Sequence, residues 1–194
     1  MGTRLVDRRA DDHERLIIRP MALVTFIRGV NVGGHKTFRP SLLANQLQQY
    51  GIINIGAAGT FVVSKPVSAT RLRSELLRRL PFEAEVMICR GQELIAAAAD
   101  SPFDGNPPAS DLVRFVSVLA KAPRVLPSIP LCIPEDGRWL LRILSVRDRF
   151  LFGIYRREMK AIGCLGRLDK LFGAPATTRN WNTIAAILKL LGKG

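Results

Sequence analysis

Cysteine and histidine are scarce in this chain of 194 residues. Its three cysteines, Cys89, Cys132 and Cys164, stand far apart, odd in number and without a CxxC pair. That pattern argues against a disulfide framework and fits a reducing compartment. With His13 and His35 as the only histidines, no recognised spacing of metal ligands can be assembled, so neither a metal nor another cofactor is expected. No run reaches the roughly 18 apolar residues of a membrane helix, and no apolar segment with a cleavage site opens the chain. A soluble cytoplasmic protein with no membrane partner is expected. Asp7, Asp11, Asp12 and Glu14 argue against an acid-poor transit peptide. Met21 stands directly before the first apolar run, so residues 1–20 read as a poorly ordered extension preceding a second start.

What is abundant is positive charge. The formal net charge is +13, which raises the local concentration of any polyanion and makes a small phosphorylated molecule or nucleic acid a compatible partner. The basic residues are spread along the chain rather than massed in one block, and the same charge also fits a generally basic surface. With 47% hydrophobic and 23% charged residues, the composition is that of a globular protein able to bury a core without staples.

Ala22–Ile27 is a nearly continuous apolar run and predicts a buried strand. After a glycine-rich turn, Pro40 and Ser41 open a helix with Leu43, Leu47 and Tyr50 on one face, stopped by Gly51. Ile52–Ile55 and Phe61–Ser64 predict two short strands around Gly56-Ala57-Ala58-Gly59. Ser68 is placed to cap a helix with Leu72, Leu76 and Leu80 inward, ended by Pro81, and Glu85–Cys89 is a further strand. The order βαββαβ puts two crossover helices on one face of an antiparallel sheet, a ferredoxin-like plait. A helix over 92–99 then leads to a Pro-, Gly- and Asp-rich stretch at 101–110, the best internal boundary. Beyond it come a strand at Leu112–Leu119, a proline-punctuated segment at 123–134, a hairpin of Trp139–Val146 and Phe150–Tyr155, and helices around 165–172 and 180–191. The expected fold class is α+β: two ferredoxin-like (α/β plait) subdomains with antiparallel sheets, over 21–104 and 110–194.

Two segments carry possible chemistry. The run RGVNVGGHKT from Arg28 to Thr37 follows a strand. A phosphate-binding P-loop needs lysine directly after the last glycine and then a helix; here His35 precedes Lys36, and Pro40 delays the helix, so an NTPase is excluded. Gly29, Gly33 and Gly34 nevertheless allow consecutive N–H groups to turn toward one anion, with Arg28 and Lys36 as charges. The same glycines equally suit a tight connection. The second segment is TTRNWNT, residues 177–183, in which Thr178 is placed to cap the last helix and set Arg179 at its positive end. Trp181 and Ile184 are the expected core anchors.

These two runs, together with Ser101-Pro102-Phe103, resemble a family of bacterial proteins known as domain of unknown function 1697, over roughly residues 21–191. The resemblance implies a fold of two ferredoxin-like subdomains and assigns no activity. It carries over motif membership alone, for Arg28, Gly29, Asn31, Gly33 and Gly34 at one end and Thr178, Arg179, Asn180, Trp181 and Asn182 at the other. Where the family has a Ser-Gly-Asn turn, this chain has Ala58-Gly59-Thr60; a Ser-Lys-Leu element is loosely matched by Met159-Lys160-Ala161.

The leading functional expectation is a small phosphate- or carboxylate-bearing ligand held by Arg28, Gly29, Asn31, Gly33, Gly34, Lys36, Lys160, Thr178, Arg179 and Asn180. A nucleic-acid module is the alternative; it needs exposed strand aromatics, and Phe26, Phe61 and Phe115 sit among core-like neighbours without an RNP motif. Whether the chain is an enzyme stays open, since His35 is the sole candidate base and Arg, Asn, Thr and Lys orient anions more readily than they move protons.

Overall fold

The computed structural model describes residues 22–30, 38–106 and 108–192; residues 1–20 and the centre of the glycine-rich segment, including Asn31, Gly33, Gly34, His35 and Lys36, lie outside these. A largely apolar, β-branched and aromatic run forms β1 (Leu23–Ile27), which lies between β3 and β4 in the first sheet. Pro40, whose fixed φ suits the first helical turn, starts α1 (Pro40–Gln46), and Gly51 in the left-handed region ends the short 3-10 turn after it. β2 (Ile52–Asn54) and β3 (Thr60–Val63) form a hairpin, and α2 (Ala69–Leu77) is capped as expected by Ser68, whose hydroxyl accepts from the Arg71 N–H. β4 (Val86–Arg90) completes an antiparallel sheet of order β2-β3-β1-β4, the ferredoxin-like order that the helix and strand sequence predicts.

The second half repeats this arrangement with one substitution. β5 (Leu112–Leu119), β7 (Leu141–Arg147), β8 (Phe150–Arg156) and β9 (Ala176–Asn180) lie in the order β7-β8-β5-β9, with β6 (Leu131–Ile133) added at the edge. The first crossover of a plait is ordinarily helical. Here it is the proline-punctuated segment, where Pro123, Pro127, Pro130 and Pro134 deny backbone donors to a helix. The second crossover is α4 (Met159–Leu165) and α5 (Leu168–Phe172).

Each sheet is buried on both faces. One face of the first sheet packs on α1 and α2 through Leu43, Leu47, Phe61, Val63, Leu72 and Leu76. One face of the second packs on α4 and α5 through Phe115, Leu141, Leu151, Leu168 and Phe172. The remaining faces meet each other: Val24, Phe26, Val62 and Met87 from the first sheet share a core with Val116, Val118, Phe150 and Phe152 from the second. α3 (Gly91–Ala97) and α6 (Trp181–Leu190) wedge into this central layer through Leu94, Ile184 and Ile187. Complete burial of an aliphatic or aromatic side chain contributes about 1.5–3 kcal/mol, so the inter-sheet layer is a principal source of stability. On the α4 and α5 side, Gly153 lets Phe115 lie against β8: a Cβ there would lie 2.6 Å from Cζ of Phe115 and 2.5 Å from the Arg142 carbonyl oxygen.

The β9 strand departs from the sequence expectation. Thr178 does not cap the last helix; it pairs with Ser117 across β5 and β9. The cap is Asn180, whose Oδ1 accepts from the Thr183 N–H at 2.9 Å.

Candidate functional site

The strand alternation of β9 sets the side chains of Thr177 and Arg179 on the inter-sheet side and that of Thr178 on the other. Thr178 Oγ1 lies 2.6 Å from Ser117 Oγ. Arg179 is 7% exposed and enters the layer between the sheets. Its Nε donates to Thr60 Oγ1 at 2.6 Å. One terminal nitrogen donates to Thr177 Oγ1 and the Thr178 carbonyl, and the other to the carbonyls of Ile27 (2.8 Å) and Ala58 (2.6 Å). These contacts match the five N–H groups of a guanidinium, and the ring of Phe26 lies beneath it. Burial lowers the guanidinium to about 10, still far above neutral pH. Gly59 shapes the loop that supplies Ala58 and Thr60: its φ is +66° and a Cβ would meet Val30 Cγ2 at 2.9 Å. Thr60 supplies the hydroxyl that Arg179 uses.

Arg28 lies one residue beyond the Ile27 carbonyl that Arg179 holds. It forms ion pairs with Glu85 at 2.6 Å and with Asp169 of α5, and Asp169 accepts from the Ala176 N–H at the start of β9. Arg28 and Gly29 line a cleft of about 500 Å³ whose described walls include Glu83 and Glu85. The two arginines of the sequence motifs therefore clamp the end of β1 to the second subdomain, one from inside the sheets and one from the surface. Lys160 is exposed on α4. Among the described candidates, Arg28 and Arg179 come together at the end of β1, while Thr178 faces the opposite side of the sheet.

A different cleft gathers donors that sequence reasoning passed over. β9 leaves β5 at Asn180, opposite Phe115, so the first residues of β5 run on without a neighbour on that side. The gap is a cleft of about 470 Å³ lined by Arg114, Tyr155, Arg157, Asn180, Trp181 and Asn182, with apolar walls from Leu112, Val113 and Ile154. No carboxylate is among its described lining. Asn180 caps α6 at its mouth, and the first N–H groups of that helix have no intrahelical acceptor, so its positive end opens here. Arg114 donates to the Asn106 carbonyl and lies over the ring of Phe103, while its Nε is buried without a hydrogen-bond partner among the described residues. Arg157 is exposed. Desolvation raises the phenol of Tyr155 above its usual range. Arg114 and Arg157 belong to neither motif. Only their strand positions, at the start of β5 and just past the end of β8, bring them to Asn180, and that pairing is not visible in local sequence.

Among the described residues no group of three or more His, Cys, Asp or Glu is placed to hold a metal ion. None of their helices is long and apolar enough to cross a membrane. Cys89 is fully buried, and burial pushes its thiol up to about 12. Cys164 is buried against the Lys160 carbonyl. Phe26, Phe61 and Phe115 are completely buried, so these strand aromatics offer no stacking platform for single-stranded bases.

Comparison with known proteins agrees with this architecture. A family model described as "Protein of unknown function (DUF1697)" matches residues 21–129. The conserved bacterial protein SP0830 from Streptococcus pneumoniae has a similar structure, with a TM-score of 0.50 at 15% sequence identity, covering 88% of this chain and 98% of that one. At that identity the likeness is one of fold. No curated protein matches the chain.

Proposed function

We propose, for a chain that belongs to the DUF1697 family of proteins of unknown function, that it binds a small phosphate- or carboxylate-bearing molecule in the cleft at the start of α6. The observation that carries this reading is the cleft's composition. Two arginines and the positive end of a helix meet around about 470 Å³, with no acidic group among the described lining. An anionic head group seated there takes charge-assisted hydrogen bonds from Arg157, the Asn182 amide and the first N–H groups of α6. Trp181 and the apolar wall from Leu112 and Ile154 suit an uncharged, partly apolar remainder of the ligand. In this reading Asn180 contributes by capping and orienting the helix, and Arg28 and Arg179 contribute by holding the two subdomains in register.

The test is a thermal-shift series with inorganic phosphate, pyrophosphate, adenosine monophosphate and citrate, each against chloride at matched ionic strength. A ligand present at a hundredfold excess over its dissociation constant adds about 2.7 kcal/mol to the folded state. A rise in Tm for at least one of these, abolished in Arg157→Ala and retained in Arg124→Ala, is the expected result. Absence of any shift over chloride, or a shift that both variants lose equally, would sink the reading.

A further inference from the structure

The positive charge of the protein is unevenly distributed and unevenly used. From Gly105 onward fifteen Lys and Arg stand against six Asp and Glu. Many of these arginines are already engaged: Arg147, Arg149, Arg156 and Arg179 all donate to backbone carbonyls. A second group is not. Lys121, Arg124 and Lys170 make no hydrogen bond or ion pair with any described residue, yet they converge on one groove of about 390 Å³ between the proline-punctuated crossover and the end of α5. No carboxylate is among its described lining.

The same groove exposes apolar side chains that no described residue covers. Val125, which lines it, is 79% exposed, and its neighbour Leu126 is 54% exposed. Leu171 on the α5 side is also exposed. On the far side of Leu171 a separate cleft is lined by Arg167 together with Glu135 and Asp136, so the positive charge there has carboxylates beside it, unlike that of the first groove. Three cations held together without a counter-charge repel one another, and a contiguous exposed aliphatic patch rimmed by charge marks an interaction surface.

We propose that this groove docks a segment of a partner protein in which acidic side chains alternate with aliphatic ones. Charge complementarity selects the acidic partner. The aliphatic lining selects a peptide over nucleic acid, because a single strand needs exposed aromatic faces for stacking and Phe172, the one aromatic among the groove's described lining, is 3% exposed. Concavity selects it over a lipid surface, which requires an apolar face that projects into the bilayer. A segment of this type lays its apolar residues along Val125 and Leu171 and its carboxylates against Lys121, Arg124 and Lys170.

The experiment is fluorescence anisotropy with three labelled probes: a peptide alternating Glu with Leu, a peptide of equal charge alternating Glu with Ser, and a single-stranded RNA of matched charge. The Glu-Leu peptide is expected to bind at least about tenfold more tightly than the Glu-Ser peptide, a difference of about 1.4 kcal/mol. Val125→Ser with Leu171→Ser should erase that difference, and Lys121→Glu with Lys170→Glu should abolish binding of both peptides. These side chains are exposed, so the variants should keep wild-type unfolding midpoints. Equal binding of the two peptides, indifference to the serine variants, or tighter binding of the RNA that the glutamate variants remove would overturn the proposal.

Discussion

Arg179 is charged, almost wholly buried and without a carboxylate partner among the described residues, an arrangement that costs desolvation energy unless every donor is used. Its acceptors come from three places: the end of β1, the β2–β3 turn and β9 itself. Replacing it with methionine fills the space but strands the Ile27 and Ala58 carbonyls, each at a cost of about 1–3 kcal/mol. Lysine offers three donors on one nitrogen and cannot fork between them. Both Arg179→Met and Arg179→Lys should therefore lower stability by about 3 kcal/mol or more, read as a shift in urea midpoint. The effect should not depend on pH across the neutral range. Burial holds the folded guanidinium near 10, below its ordinary range, so the unfolded chain binds the extra proton only above that value, where stability rises with pH. Between about pH 6 and pH 9 both states are fully charged, and the wild type and Arg179→Met should differ by a constant amount. A difference that grows or shrinks within that interval would assign the effect to another group.

At the scale of elements, arginine also closes strand edges. β4 is the outer strand of the first sheet, and a free edge invites pairing with another chain. Arg73 donates to the Val86 carbonyl and Arg149 to that of Ile88, so two of its outward acceptors are occupied from within. The strands and helices of the first half were legible because their apolar residues follow periods of 2 and 3.6, and Ser68 and Gly51 mark helix ends by local chemistry. β9 was not legible. Its inward residues, Thr177 and Arg179, are polar, so the alternation that signals a strand is absent, and only the edge of β5 makes Ala176–Asn180 extended. β6 was hidden for a related reason, as three residues between prolines that pair with β7. Of the candidate site, the motif arginines were legible as special positions, whereas the Arg114–Arg157–Asn182 cleft depends on long-range strand pairing. The position of the cap can be checked directly. Asn180→Ala should cost about 1 kcal/mol and Asn180→Asp almost nothing, because only the side-chain acceptor of the Thr183 N–H matters. If thermal unfolding shows Asn180→Ala to be neutral, the helix is capped by another residue.

For the whole molecule, the decisive feature is that the two plaits share a core instead of merely touching. Interfaces between independent domains of one chain are modest in area and rather polar. Here the layer between the sheets contains Phe26, Val62, Met87, Val116, Phe150 and Phe152, all buried, and α6 from the second half packs beside α3 from the first, with Leu191 against Gly91. Separating the halves would expose one entire face of each sheet. At about 1.5–3 kcal/mol for each large side chain, that loss matches or exceeds the 5–15 kcal/mol by which most domains are stable. Residues 1–104 and 105–194 produced separately should therefore lack the dispersed amide spectrum of a folded protein, and mixing them should restore it. The intact chain should unfold in one transition, with coincident curves from tryptophan fluorescence, which reports on Trp139 and Trp181 in the second half, and from circular dichroism, which reports on both. Two resolved transitions, or a folded fragment 1–104, would mean that the inter-sheet layer acts as an ordinary domain contact and that Arg28 and Arg179 are fastening units already stable alone.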